Sequence, residues 1–291
     1  MHILYNDGIA IPSNNWDVIY GNYLKMIPKH GDLFTGRNGM TKALFGASVV
    51  VDLGVGFPLT RLRKMPWKNL VREFLFDIGH DGNVRALGKA RHFWDFLADE
   101  NGDLGASAYN RQWREWPPSK PGSNRPNEEL RDMEMDQLEC AINKLRRNKN
   151  NRHATVITHN PTAVNPACPP CHLAMQFMPR QHDNSLDLMV PARSNDMVVG
   201  FPLDIARYAI ICQVVAAATG FNPGRVFMPS SNSHIYENCW QHAEEMLTRT
   251  PRPECFVQLP VSVLDIDDLK EDDFDLYDYV NPHPTIKLPV N

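Results

Sequence analysis

Residues 169–208 read PPCHLAMQFMPRQHDNSLDLMVPARSNDMVVGFPLDIARY and gather three kinds of reactive side chain. Cys171, set after two prolines, is a candidate nucleophile, because a thiolate attacks electron-poor carbon far more readily than a hydroxyl does. Arg193 and Ser194 form a cationic anchor with a neighbouring hydroxyl, a pairing that suits an anion. Asp204 adds a carboxylate in the first turn of an apolar helix. Cys168 and Cys171 also have CxxC spacing with His172 following, which admits a redox or zinc reading. No second CxxC or paired HxxxH completes a four-ligand site, and the residues after Cys171 alternate like a strand where a dithiol motif would open a helix. A single reactive cysteine and no metal are therefore expected.

Other side chains carry two readings each. Glu73 borders an apolar stripe, where partial desolvation would raise its pKa toward general-base range; it is equally an ordinary boundary glutamate. Arg37, between glycines in the loop KHGDLFTGRNGMTK, and Arg152, just ahead of a strand, can meet an anion or stay solvated. His234 and Tyr236 are two apart, so on an extended backbone they share a face. Residues 91–116 are dense in Trp, Tyr and Arg, which suits a planar ligand or a plain core.

Several elements have to position these groups. Within residues 1–30, Trp16, Ile19, Tyr20, Tyr23, Leu24 and Ile27 repeat at helical spacing, with Asn14 or Asn15 as cap and Pro28 as the end. Phe45 to Phe57 is β-rich, and Trp67 to Ile78 is a strongly amphipathic helix that carries Glu73. Residues 117–128 are a loop by Pro, Gly and Ser content, followed by a helix from Leu130 to Leu145 and a strand from His153 to His159. Cys171 opens an alternating run to Phe177, and Leu186 to Val190 is a second strand. Asp204 to Thr219 is apolar nearly all round and closed by Gly220, the pattern of a helix at the centre of a domain. The acidic stretch Asp265 to Asp278 reads as a surface segment.

With 291 residues, 43% of them hydrophobic, the chain can build a full core, and a net charge of −4 gives no basic field to hold nucleic acid or an anionic membrane. The stretch MHILYNDGIAIPSNNWD has no basic region followed by an apolar one, so it is not expected to act as a leader, and no apolar run reaches the length of roughly 18 residues that a membrane span needs. The cytoplasm is the expected compartment. Six cysteines in a chain of this size need no disulfide framework, and most, Cys140 and Cys212 among them, are expected reduced and buried.

Taken together, GFPLT (56–60), the helix holding Glu73 with its following GHDGN, WDFLADENGDLGASAYNRQW, PPCH, RSNDMVVGFPLDIARY, SHIYEN and the terminal HPTIKLPV resemble the thymidylate synthases and their relatives, the pyrimidine nucleotide hydroxymethylases. The resemblance keeps the family's order along nearly the whole chain. It implies one catalytic unit over residues 1–291 and an α/β (α+β) fold, a large mixed β-sheet packed with helices around a long buried central helix. It also implies a homodimer, a nucleoside monophosphate substrate and 5,10-methylenetetrahydrofolate as co-substrate, with no direct contact to nucleic acid.

By the same resemblance Cys171 adds to C6 of the pyrimidine, Glu73 orders water and moves protons, and Tyr109 falls at an active-site tyrosine. Arg37, Arg193 and Ser194 match phosphate-binding positions, as does Arg152, contributed across the dimer interface; His153 stands where a further arginine is usual. Gln176 and Asn195 are implied at the substrate, and His234 and Tyr236 match the pair that contacts the sugar hydroxyl. Trp94, Asp196, Gly200, Tyr208 and Val290 are implied on the folate side.

Asp204 is the departure that carries information. The family's synthases have asparagine there, whose amide accepts from uracil N3–H and donates to O4. Cytosine presents the reverse pattern, and an aspartate suits it, so a cytidylate substrate is expected. The string around Asp204 looks most like the deoxycytidylate hydroxymethylases of T-even phages, which implies dCMP 5-hydroxymethylation, in a host cytoplasm if the chain is phage-encoded. A dCMP 5-methyltransferase, a CMP 5-hydroxymethylase, a dUMP-using thymidylate synthase and a non-catalytic nucleotide-binding relative are the alternatives.

Overall fold

A computed structural model describes the chain except residues 5–12, 37, 117–134, 162–168, 261–262 and 290–291, and the side chains of residues 2–4 and Phe93. Arg37, Cys168 and Val290 thus lie outside the described residues.

Strand β1 (His2–Leu4) precedes helix α1 (Trp16–His30), which Asn15 caps by accepting a 3.0 Å hydrogen bond from the Val18 amide. Contrary to expectation, Pro28 does not end α1. It sits in the last turn, where a missing N–H costs a single hydrogen bond, and the helix runs on to Gly31. The segment read as a polar loop is instead a hairpin, β2 (Asp32–Gly36) with β3 (Gly39–Leu44). β2 is largely exposed and β3 buries only Thr41 and Leu44, so the sequence carries no alternating apolar signal there.

β4 (Ser48–Asp52) leads to α2 (Trp67–Ile78), and α3 (Tyr109–Arg114) and α4 (Gln137–Arg147) follow. Asp136 caps α4 through the Glu139 amide, so the helix begins later than expected. Cys140 lies on its exposed side, not in the core. The remaining elements are β5 (Ala154–Ile157), β6 (Ala174–Arg180), β7 (Ser185–Met189), β8 (Asn195–Asp196), α5 (Phe201–Thr219), β9 (Asn222–Pro229), β10 (Ser233–Tyr236), α6 (Trp240–Thr248), β11 (Phe256–Gln258) and β12 (Asp275–Tyr277).

The large sheet has the order β1-β4-β9-β7-β6-β5, antiparallel except for the β7–β9 pair. One face, carrying Val49, Val226, Leu188, Phe177 and Val156, is fully buried in the core that includes α5. A second sheet, β2-β3-β10-β8, sets β10 parallel to β8 and so brings His234 beside Asp196. The mixed α+β architecture expected from the sequence is thus present, with α5 at its centre.

Pro202 is tolerated in the first turn of α5, where the amide has no helical acceptor, and Gly220 closes the helix at φ 71°. Contrary to the sequence reading, Phe201–Thr219 is long and apolar enough to cross a membrane by composition. The same residues are largely buried within the protein, because β-branched and aliphatic side chains on every side of α5 meet sheet or helix. Arg114, almost wholly buried, binds Asp136 and Asp267, each at 2.8 Å. Arg72 reaches Glu271 at 2.8 Å, and the acidic segment expected at the surface is thereby tied to the body of the molecule.

Candidate active site

Cys171 precedes β6 and is held by backbone pairing with the stretch that leads into β8. The Arg193 amide donates to Cys171 O at 2.9 Å and the Leu173 amide to Pro191 O at 2.9 Å. The Arg193 guanidinium donates to the carbonyls of Pro170 (2.8 Å) and Pro169 (2.5 Å) and lies 3.6 Å from Cys171 Sγ. A permanent positive charge thus sits where a thiolate would carry its negative charge.

Tyr109, at the start of α3, braces the other side. Its hydroxyl accepts from the amides of Cys171 (3.2 Å) and His172 (3.4 Å) and lies 3.1 Å from His172 Nδ1. Burial holds the Tyr109 hydroxyl protonated and pushes His172 down to about 4, so the imidazole is neutral at physiological pH. With both amides donating to the tyrosine oxygen, the tyrosine proton goes to Nδ1 and the imidazole proton sits on Nε2. That nitrogen faces Asp204 Oδ2 at 3.7 Å.

Asp204 comes from the first turn of α5, and Arg207, one turn on, binds its Oδ1 at 2.9 Å. The same guanidinium meets Asp77 Oδ2 at 3.0 Å. Glu73 and Asp77 are four apart on α2, so one helix turns both carboxyls inward. Burial pushes Glu73 up to about 7, opposed by Arg207 and reinforced by Asp77 and Asp204. Burial likewise pushes Asp77 up to about 6 against Arg207.

These groups surround a pocket of about 190 Å³ whose polar wall is Cys171, His172, Tyr109, Asp204, Asp77 and Arg207. Phe76, Trp94, Leu97 and Leu104 form its apolar wall. The volume is below the roughly 300–1,000 Å³ of ligand cavities in general and matches a single heteroaromatic ring system better than a whole nucleotide.

A sequence profile of the thymidylate synthase family matches residues 18–291. The chain belongs to the thymidylate synthase family. Thymidylate synthase relatives transfer a one-carbon group to C5 of a pyrimidine nucleotide, with methylenetetrahydrofolate as co-substrate. The apolar wall fits a flat folate ring, and the buried Trp94 indole N–H beside it faces the Glu73 carboxyl. Among the described residues, no cluster of His, Cys, Asp and Glu could hold a metal ion.

The family-matched residues fall into distinct groups. Cys171, Tyr109, Asp204 and Trp94 line the pocket, and Glu73 lies just behind it through the Arg207 cluster. Asp196 accepts from the amides of Val198 (3.0 Å) and Val199 (3.1 Å), and His234 and Tyr236 meet edge to face at 4.9 Å beside it on β10. Gly200 lends its carbonyl to the amides of Leu203 and Asp204, fixing the first turn of α5. Ser194 is half-buried, and Arg152 is exposed ahead of β5.

Three implied residues sit elsewhere. Gln176 alternates with the buried Met175 and Phe177 and so turns to the opposite face of the sheet, beside Met178 and Arg225. Asn195 is buried directly behind the pocket wall, its side chain meeting that of His172 and lying 3.6 Å from Met228 Sδ. Tyr208, expected at the folate, is fully buried behind His172, ring to ring at 4.9 Å. Asp77 and Arg207 were not singled out from the sequence. Their signal was there, as polar residues spaced four from Glu73 and three from Asp204 within apolar helices.

Proposed function

We propose that this protein hydroxymethylates C5 of dCMP, working as one catalytic unit over residues 1–291 in the cytoplasm. Cys171 adds to C6 of the pyrimidine, the C6–S bond draws electron density to C5, and C5 becomes the nucleophile. Arg193 stands by the sulfur as the thiolate forms and again as it leaves. Bound methylenetetrahydrofolate supplies the one-carbon unit at the oxidation level of formaldehyde. Glu73 activates water for the hydroxyl and takes up the C5 proton, a task suited to a carboxyl titrating at about 7. Arg193 and Ser194, with Arg37, bind the phosphate, and His234 and Tyr236 bind the sugar hydroxyl.

The observation that carries the cytosine reading is Asp204 on the polar wall, beside Cys171 and bound to Arg207. Incubation with dCMP and methylenetetrahydrofolate, with product mass and folate oxidation state both read, tests it. The expected outcome is 5-hydroxymethyl-dCMP with tetrahydrofolate. Dihydrofolate with a methylated product would make the enzyme a methyltransferase, and turnover confined to dUMP or CMP would refute the substrate.

A homodimer through the open face of the large sheet belongs to the same reading. Met178 and Ile157 are about 40% exposed there, and Arg152 lies at its edge-strand end. Mixed dimers of Arg152→Ala and Cys171→Ala chains should recover one working site, which a monomeric enzyme could not do.

A further inference from the structure

Arg207 and Asp77 form an ion pair in the wall of the pocket, with side chains 4% and 3% exposed, while Asp204 is 23% exposed. The Arg207 guanidinium lies 5.5 Å from the ring of Tyr109 and 5.8 Å from that of Tyr208, so it has little room to move. Desolvating such a pair costs several kcal/mol per ion, and apolar residues of the same volume would join α2 to α5 at lower cost. The pair therefore calls for a role beyond packing.

Its geometry supplies one. Arg207 Nη2 occupies Asp204 Oδ1 at 2.9 Å, which leaves Oδ2 as the oxygen near His172 Nε2 and the pocket. A carboxylate with Oδ1 taken by a guanidinium presents its other oxygen as an acceptor and offers no donor, unlike the amide of an asparagine. We propose that Arg207, braced by Asp77, is a positioning residue that commits Oδ1 of Asp204 to the protein and leaves Oδ2 as a single acceptor for an exocyclic amine on C4 of the base. A carbonyl in that place would set acceptor against acceptor, and the site would reject it. This rests on the reading that Asp204 faces the pyrimidine.

Two measurements test it. The first uses the wild-type protein and a pair of substrates of equal bulk, N4-methyl-dCMP, which keeps one N–H, and O4-methyl-dUMP, which has none. A single acceptor should bind the first roughly tenfold or more tighter; equal binding overturns the proposal. The second is the double variant Arg207→Gln/Asp77→Asn, which removes both buried charges together and so spares the fold from an unpaired ion. It should melt near the wild type yet lose roughly tenfold in its preference for dCMP over dUMP, chiefly through KM, while Arg207→Lys keeps most of that preference. An unchanged preference in a folded double variant shows Arg207 to be structural only. A wild type that prefers dUMP overturns the substrate reading itself, and this inference with it.

Discussion

Replacing Glu73 with glutamine should make the protein more stable, by a gain that begins near pH 4.5, grows up to about pH 7 and then levels off. Burial raises this carboxyl from 4.5 to about 7 in the folded state. Between those values the folded protein holds a proton that the unfolded chain has released. The stability contributed by the protonated form is thus fully present below pH 4.5 and lost as pH rises through 7. At about 1.4 kcal/mol per pH unit, ionising Glu73 in place costs about 3 kcal/mol. Asp77, on the same helix and raised to about 6, ionises more easily once residue 73 is neutral, which adds to this gain and does not offset it. Urea unfolding of wild type and Glu73→Gln at intervals from pH 5 to pH 8.5 reads the difference directly. Parallel stabilities at all pH values, or a gain that grows toward acid, would refute the reasoning. Turnover gives an independent check, since wild-type kcat/KM should rise through about pH 7 and Glu73→Gln should be nearly inactive throughout.

Cys171→Ser should abolish the nucleotide adduct that intact-protein mass spectrometry detects in the wild type, with folding unchanged because Cys171 is only half-buried. Asp204→Asn should shift preference from dCMP toward dUMP by roughly ten- to a hundredfold in the ratio of kcat/KM values, as swapping donor and acceptor at one buried edge costs about 1–3 kcal/mol. Arg114→Met should cost roughly 2 kcal/mol or more and open the stretch near Asp267 to proteolysis, since one buried guanidinium holds Asp136, Asp267 and the Ile78 carbonyl together. Asn15→Ala should cost about 1 kcal/mol in thermal or urea unfolding through loss of the α1 cap.

The sequence made some of this legible and hid the rest for identifiable reasons. Helix α2 was bounded correctly because its apolar residues recur on one face from Trp67 to Ile78. Helix α5 was found but begun late, since Phe201 and Pro202 precede the residue chosen as its start. The β2–β3 hairpin is hidden in the sequence because β2 is exposed along nearly its whole length, and only Thr41 and Leu44 of β3 are buried, a spacing of three that no strand alternation announces. At the site, Cys171, Tyr109 and Asp204 could be named because each belongs to a family motif. Asp77 and Arg207 could not, because their meaning depends on α2 and α5 facing each other, a fact about packing and not about either helix. The placement of Gln176 on the open face of the sheet is legible in the sequence itself, since its neighbours Met175 and Phe177 demand the core and a strand then turns Gln176 away.

The order of strands also bears on how the protein comes into being. β9 is among the last long elements to leave the ribosome, yet it lies between β4 and β7, so the large sheet has a gap at its middle until residues 222–229 are made. α5 emerges just before it, apolar on all sides and composed like a membrane segment, with its main sheet support still missing. A nascent chain halted after residue 220 should therefore be a chaperone client, and folding should begin in earnest only when β9 slots into place. Selection on this chain must act on its passage from ribosome to folded protein as well as on its chemistry.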